Sequence, residues 1–158
     1  MAQRNIFEAG AVEITQLFED YLEGEVQPGS CIALALSERP LGASSRAAIG
    51  KSLLALGICE GPFTCATLLP GEAESEGGDV PLDAQSLFLL MEGLDPLRVI
   101  AVDRASADLL ASAYRISFPQ NAAVRVFGRP AVVFDDLEKL LQTDAGKQKA
   151  WTLFKTLA

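Results

Sequence analysis

The chain has 158 residues, 49% hydrophobic and 22% charged, a balance expected of one globular domain with a buried core rather than a disordered segment. Its 21 acidic and 13 basic residues give a net charge of −8, the opposite of what phosphate-driven binding needs, so weak nucleic-acid binding or none is expected. There is no histidine and there are three cysteines, Cys31, Cys59 and Cys65, which excludes a Ser-His-Asp or Cys-His set and argues against zinc.

Residues 6–22 place Ile6, Phe7, Ile14, Leu17, Phe18, Tyr21 and Leu22 at helical spacing, with Gly24 and Pro28-Gly29 as the stop. Residues 30–36 form a near-continuous apolar run, the mark of a strand buried on both faces. A loop, residues 37–42, leaves its carboxyl end. Ser44 or Ser45 is the expected cap of a helix reaching about Leu56, with Gly57 as its stop. Residues 63–68 read as a second strand, and residues 70–79, rich in acid and glycine, as a surface loop. Asp83 opens a helix carrying Leu87, Phe88, Leu90 and Met91, ended by Gly93 and Pro96. Residues 98–103 are the third strand, and residues 106–114 a helix with Leu109, Leu110 and Tyr114 inward. Residues 124–127 are a short edge strand and residues 131–134 the fourth core strand. Asp135 or Asp136 caps a short helix. A last helix opens at Thr143-Asp144, with Trp151, Leu153, Phe154 and Leu157 as its apolar positions.

Apolar strands alternating with helices imply an α/β fold. The expected form is a three-layer α/β/α sandwich around a central four-stranded, mainly parallel sheet, in a single domain over residues 1–158. No apolar run reaches the length of a membrane span and no signal-like segment is evident, so the cytoplasm is the expected compartment and no membrane partner is expected. Ligands in such folds sit beyond the carboxyl ends of the strands, which gathers Glu38, the loop after Leu68, Asp103 and Asp135-Asp136 round one crevice.

Ile49-Gly50-Lys51-Ser52 ends like a phosphate-binding loop, but Ser45 holds the first glycine position and the segment reads as helix, which cannot wrap backbone amides round phosphates. The carboxylates Glu38, Asp103 and Asp136 are the better candidates, since a pair of acids at strand ends can activate water. Capping of the next helix is the competing role for Asp103 and for Asp135 or Asp136. Cys31 and Cys65 lie in apolar runs and read as buried, metal-free side chains.

From about Cys31 to Leu157 the order and spacing of segments resemble the uracil-DNA glycosylase superfamily, most closely its iron–sulfur class. Residues 32–41 look like that class's first strand running into its Gly-Glu-Ala-Pro-Gly loop. Glu38 and Pro40 match, while Ser37 and Leu41 replace the glycines. Residues 94–110 resemble its Pro, apolar strand and Ala-rich helix. Gly128-Arg129-Pro130-Ala131-Val132-Val133 resembles its last strand. Leu140-Leu141 with Lys147, Lys149, Ala150, Trp151 and Leu153 resembles its closing helix. On this alignment Asp136-Leu137-Glu138 stands where the family has His-Pro-Ser, the base-reading Asn falls near Ala66, and the four-cysteine cluster is missing. The chain is also similar to the psi subunit of the bacterial DNA polymerase III clamp loader, a non-catalytic protein of the same superfamily. The resemblance implies a degenerate member without cofactor: a binding or scaffold protein linked to DNA replication or repair through an unidentified protein partner. The alternative is a divergent DNA glycosylase or other hydrolase using Glu38 with Asp103 or Asp136.

Overall fold

The computed structural model describes residues 13–23, 33–59, 63–70 and 80–158. The first half of the expected amino-terminal helix, its stop at residues 24–29, Cys31 and the acidic loop at 71–79 lie outside the described residues.

The fold is α/β. Among the described residues six strands, β1 (Leu22–Glu23), β2 (Leu34–Ser37), β3 (Thr64–Thr67), β4 (Val99–Ala101), β5 (Ala122–Val126) and β6 (Arg129–Val133), form one mixed sheet in the order β1-β3-β2-β4-β6-β5. The pairs β2·β3, β2·β4 and β4·β6 are parallel, whereas β1·β3 and β5·β6 are antiparallel. The expected four-stranded sheet is therefore corrected to a six-stranded mixed one, in which the four apolar runs are the parallel centre and two antiparallel strands, the two-residue β1 and the five-residue β5, close the edges.

Each edge has a local cause. Helix stops at residue 17, a 3-10 turn follows at Glu19–Tyr21, and Leu22, expected inside the helix, pairs with Ala66 instead. At the other edge β5 and β6 are a hairpin closed by Phe127 and Gly128, both at positive φ (49° and 82°), the combination a two-residue primed turn demands.

Besides the helical residues 13–17, the described residues hold these helices against the sheet: α1 (Ala43–Ala55), α2 (Ala84–Leu94), α3 (Arg104–Tyr114), α4 (Leu137–Leu140) and α5 (Asp144–Phe154). Because strand side chains alternate, Leu34, Leu36, Val99 and Ala131 face α2 and α3, where Leu87, Leu90, Met91 and Leu110 bury them. Ala35, Cys65, Ile100 and Val132 face the other way, onto Ile49 and Leu53 of α1 and Ala150 and Phe154 of α5. Two-sided burial is why these strands read as continuous apolar runs, and each fully buried Leu, Ile or Phe stabilises by roughly 1.5–3 kcal/mol.

Helix ends follow the expected acids in part. Asp83 accepts from Ser86 N–H (2.7 Å) to cap α2, and Thr143 Oγ1 accepts from Gly146 N–H (3.0 Å) to cap α5. Three expectations are corrected. The N-cap of α1 is Gly42, with no side-chain cap of its own, rather than Ser44 or Ser45. Gly93 lies inside α2, where a Cβ would strike Ile14 at 2.5 Å, and the helix runs on through Leu94 to its C-cap at Asp95, φ 48°. Trp151 is 38% exposed rather than part of the core, which takes Phe154 and Leu157 from the same segment.

Gly146 sits in the first turn of α5, where an added Cβ would overlap the carbonyl oxygen of Leu140. Alanine has the higher helix propensity by about 1 kcal/mol, but a clash with main chain cannot be relieved by rotating a side chain. Gly146→Ala is therefore expected to destabilise the protein by about 2 kcal/mol, read as a lower urea midpoint at unchanged slope; a midpoint at or above the parent's would contradict this packing.

Candidate functional site

β2 is flanked by β3 on one side and β4 on the other, so the connections diverge at the carboxyl ends of β2 and β4, the place where open α/β sheets hold ligands. Here that place is laced by hydrogen bonds. Val102 N–H donates to Leu36 O (2.9 Å), Leu68 N–H to Ser37 O (2.8 Å) and Leu69 N–H to Glu38 O (3.1 Å).

The candidate acids stand round this mouth, but most are already bound. Asp103 is the N-cap of α3: its Oδ1 accepts from Ser106 N–H (2.9 Å), and Ser106 Oγ accepts in return from Asp103 N–H (3.3 Å). Its Oδ2 accepts from the Glu38 N–H (2.9 Å), so both carboxylate oxygens hold backbone amides. Asp136 caps α4 through Lys139 N–H (3.1 Å) and bridges Asp103 in an isolated antiparallel pair. Asp135 pairs with Arg104 Nε (3.1 Å), and Arg104 also reaches Asp108 (3.7 Å). These are exposed pairs that contribute little to stability.

Glu38 differs. Its side chain is exposed and lines a depression of about 420 Å³ with Leu68, Leu69, Leu82, Leu109 and Asp108. The lining is mainly apolar, and the two charged groups in it are both acids. Such a site attracts neither phosphate nor a developing anion. Among the described residues no group of three or more Cys, Asp or Glu is placed to hold a metal ion, and no helix is long and apolar enough to cross a membrane.

The other singled-out residues fall away from the mouth. Ala66 is fully buried in β3 between Leu22 and Leu36, and its neighbour Thr67 donates its hydroxyl to Leu69 O (2.6 Å). Gly50-Lys51-Ser52 is mid-helix in α1 and makes no phosphate cradle. Cys65 is a buried free thiol, and Cys59 is half-buried. Arg46, bound to Glu23 at 2.9 Å, brings its guanidinium within 4.0 Å of Cys65 Sγ, a neighbour that sequence adjacency does not reveal. Burial nevertheless outweighs that cation and pushes the Cys65 thiol up to about 11. A group raised in the folded state holds its proton more tightly than the unfolded chain does. The resulting stability is present at neutral pH and is lost as pH climbs through about 11, and at neutral pH the thiol is no nucleophile.

Glu138 has a role the sequence concealed. Its Oε2 accepts from the Ser45 N–H (3.1 Å) and the Ser45 hydroxyl, so a carboxylate 93 residues away caps the amino end of α1. A Cβ at Gly42 would lie 2.7 Å from that carboxyl group, so glycine at the N-cap is what lets Glu138 approach. The available signal was negative: a helix start with glycine and no acid in its first turn.

No protein-family model matches the chain, and no curated protein matches it.

Removing an N-cap acceptor costs about 0.5–2 kcal/mol, and an anion at a helix amino end adds a few tenths more. Glu138→Ala is expected to destabilise by about 1–2 kcal/mol and Glu138→Gln by less than half of that, because an amide oxygen still accepts. Urea unfolding of the two variants decides it; equal losses in both would mean that the side chain is not acting as an acceptor.

Proposed function

We propose that the chain is a non-catalytic binding or scaffold protein on a uracil-DNA glycosylase-like fold, a single three-layer α/β/α domain. It works in the cytoplasm, is linked to DNA replication or repair through a protein partner, and binds nucleic acid weakly or not at all. The observation that carries this reading is the state of the acids at the strand mouth: Asp103, Asp136 and Glu138 each hold a helix amino end through backbone amides.

The fold assignment draws support from four adjacent parallel strands with helices on both faces. It also draws support from the meeting of two distant segments, the loop after β2 and the turn after β6. Those segments stand where the family has its two active-site motifs, the first matching at Glu38 and Pro40 and the second at no residue, and they touch through Gly42, Ser45 and Glu138. The likeness to the psi subunit adds a precedent for this fold without chemistry.

Base excision needs a pocket that reads the flipped base, a donor for the anion that leaves, and a positioned water. Ala66 offers no polar side-chain atom, and Asp136 in the donor's place would repel the leaving anion. Losing one such donor alone costs about 3–4 kcal/mol of transition-state stabilisation. The exposed carboxylate of Glu38, free of capping duty, is what favours the alternative: a divergent DNA glycosylase or other hydrolase using Glu38 with Asp103 or Asp136. Incubation with uracil-containing single-stranded DNA is expected to leave the strand intact at all times sampled. Abasic sites above background that disappear in Glu38→Gln would establish the enzyme instead.

A further inference from the structure

We propose that the groove between α1 and α5 docks an acidic amphipathic segment of a partner protein, with Trp151 as its apolar anchor and Lys51 and Lys147 as its charge contacts. The inference rests on the reading of the chain as a binding protein and names the surface that does the binding.

The first observation is a division of charge. The whole chain carries −8, yet all five of its lysines, Lys51, Lys139, Lys147, Lys149 and Lys155, lie in α1, α4, α5 and the closing turn Lys155–Leu157. With Arg46 these elements hold six basic residues against two acids, Glu138 and Asp144, and Glu138 is occupied at Ser45. An acidic protein that is basic over one helical layer presents that layer to an anionic partner.

The second observation is the groove itself. It encloses about 450 Å³ between the two helices, its walls built from Ala47, Ala48, Ala150 and Trp151, with Lys51 and Lys147 on its lining. Both lysines are exposed, and among the described residues neither makes an ion pair. Trp151 is the sole tryptophan of the chain and leaves 38% of its surface in water, although the same helix buries Phe154 completely. A large ring held half out of a core beside an apolar trough is the kind of residue that dominates binding energy at an interface.

An apolar wall edged by two point charges suits a helix laid in a groove, with leucine-like side chains against Trp151 and carboxylates reaching the lysines. It suits nucleic acid poorly. Strong phosphate binding needs many cations and favours the guanidinium fork, and Arg46, the one arginine of this layer, is committed to Glu23.

Because Trp151 is unique, its fluorescence reports on the groove directly. The intact chain is titrated with three probes: a short helical peptide with leucines on one face and glutamates on the other, its lysine-substituted twin, and single-stranded DNA of similar length. The acidic peptide is expected to shift Trp151 emission and to bind about tenfold more weakly to Lys51→Glu/Lys147→Glu, while the twin and the DNA leave the signal unchanged. Trp151→Phe, followed by anisotropy of a labelled peptide, is expected to weaken binding by a similar factor. Both variants change exposed positions, and unchanged thermal melts would confirm that they are folded. Silence with the acidic peptide, equal response to both peptides, charge-reversed variants that bind like the parent, or a DNA response that falls steeply with salt would each overturn the proposal. Run beside the excision assay on the same preparation, silence without excision defeats only the groove, whereas silence with excision defeats the binding-protein reading as well.

Discussion

Asp103 joins three parts of the molecule that would otherwise be independent. One oxygen closes the first turn of α3, the other holds the first residue after β2, and the backbone of the same residue bridges to Asp136 after β6. The carboxyl ends of three adjacent parallel strands are thereby fixed to one another through a single residue, two by its side chain and the third by its backbone. Backbone amides at a helix start have no partner within the helix, and an anion there meets both their hydrogen-bonding need and the positive end of the helix dipole. A sheet that delivers several helix starts to one edge therefore collects acids at that edge.

This constraint separates architecture from chemistry. In an α/β enzyme the same mouth must leave polar groups unsatisfied by the protein, so that substrate satisfies them in the transition state. Here Asp103 holds main-chain amides with both carboxylate oxygens, Asp136 and Glu138 each hold one, and Glu138 reaches across to α1 only because position 42 is glycine. The mouth is built as a clasp. Glu38 alone of the candidate acids there is left without a cap to hold, and the α1 and α5 side of the sheet presents lysines and a half-exposed tryptophan to water. Charge thus divides the surface into an acidic rim along the strand ends and a basic layer over one face.

The central strands were legible because both of their faces are buried, which turns Leu34 to Leu36 and Val99 to Ala101 into unbroken apolar runs. Asp83 and Asp103 were legible as caps because each is followed, three residues on, by the amide it binds. What escaped depends on contacts between residues far apart in the chain. Leu22 belongs to a helical pattern and becomes a strand only because the edge of β3 is open to it. Gly93 resembles a helix stop but is glycine because Ile14 packs against it. Trp151 falls on the apolar stripe of its helix, yet the groove beside α1 leaves it half in water. The candidate site followed the same rule. The positions of Glu38, Asp103 and Asp136 at strand ends follow from local pattern, but their hydrogen-bond partners, which decide between cap and catalyst, do not.

The claim that these acids are structural is tested most directly at Asp103, by comparing Asp103→Ala with Asp103→Asn through urea unfolding and amide hydrogen exchange at Glu38 and Ser106. Loss of one cap and one further backbone hydrogen bond predicts that Asp103→Ala is destabilised by about 2–3 kcal/mol, with faster exchange at both amides. Asparagine, a good N-cap, should restore most of the stability and the protection at Ser106. An Asp103→Ala protein as stable as the parent, with both amides equally protected, would contradict the account.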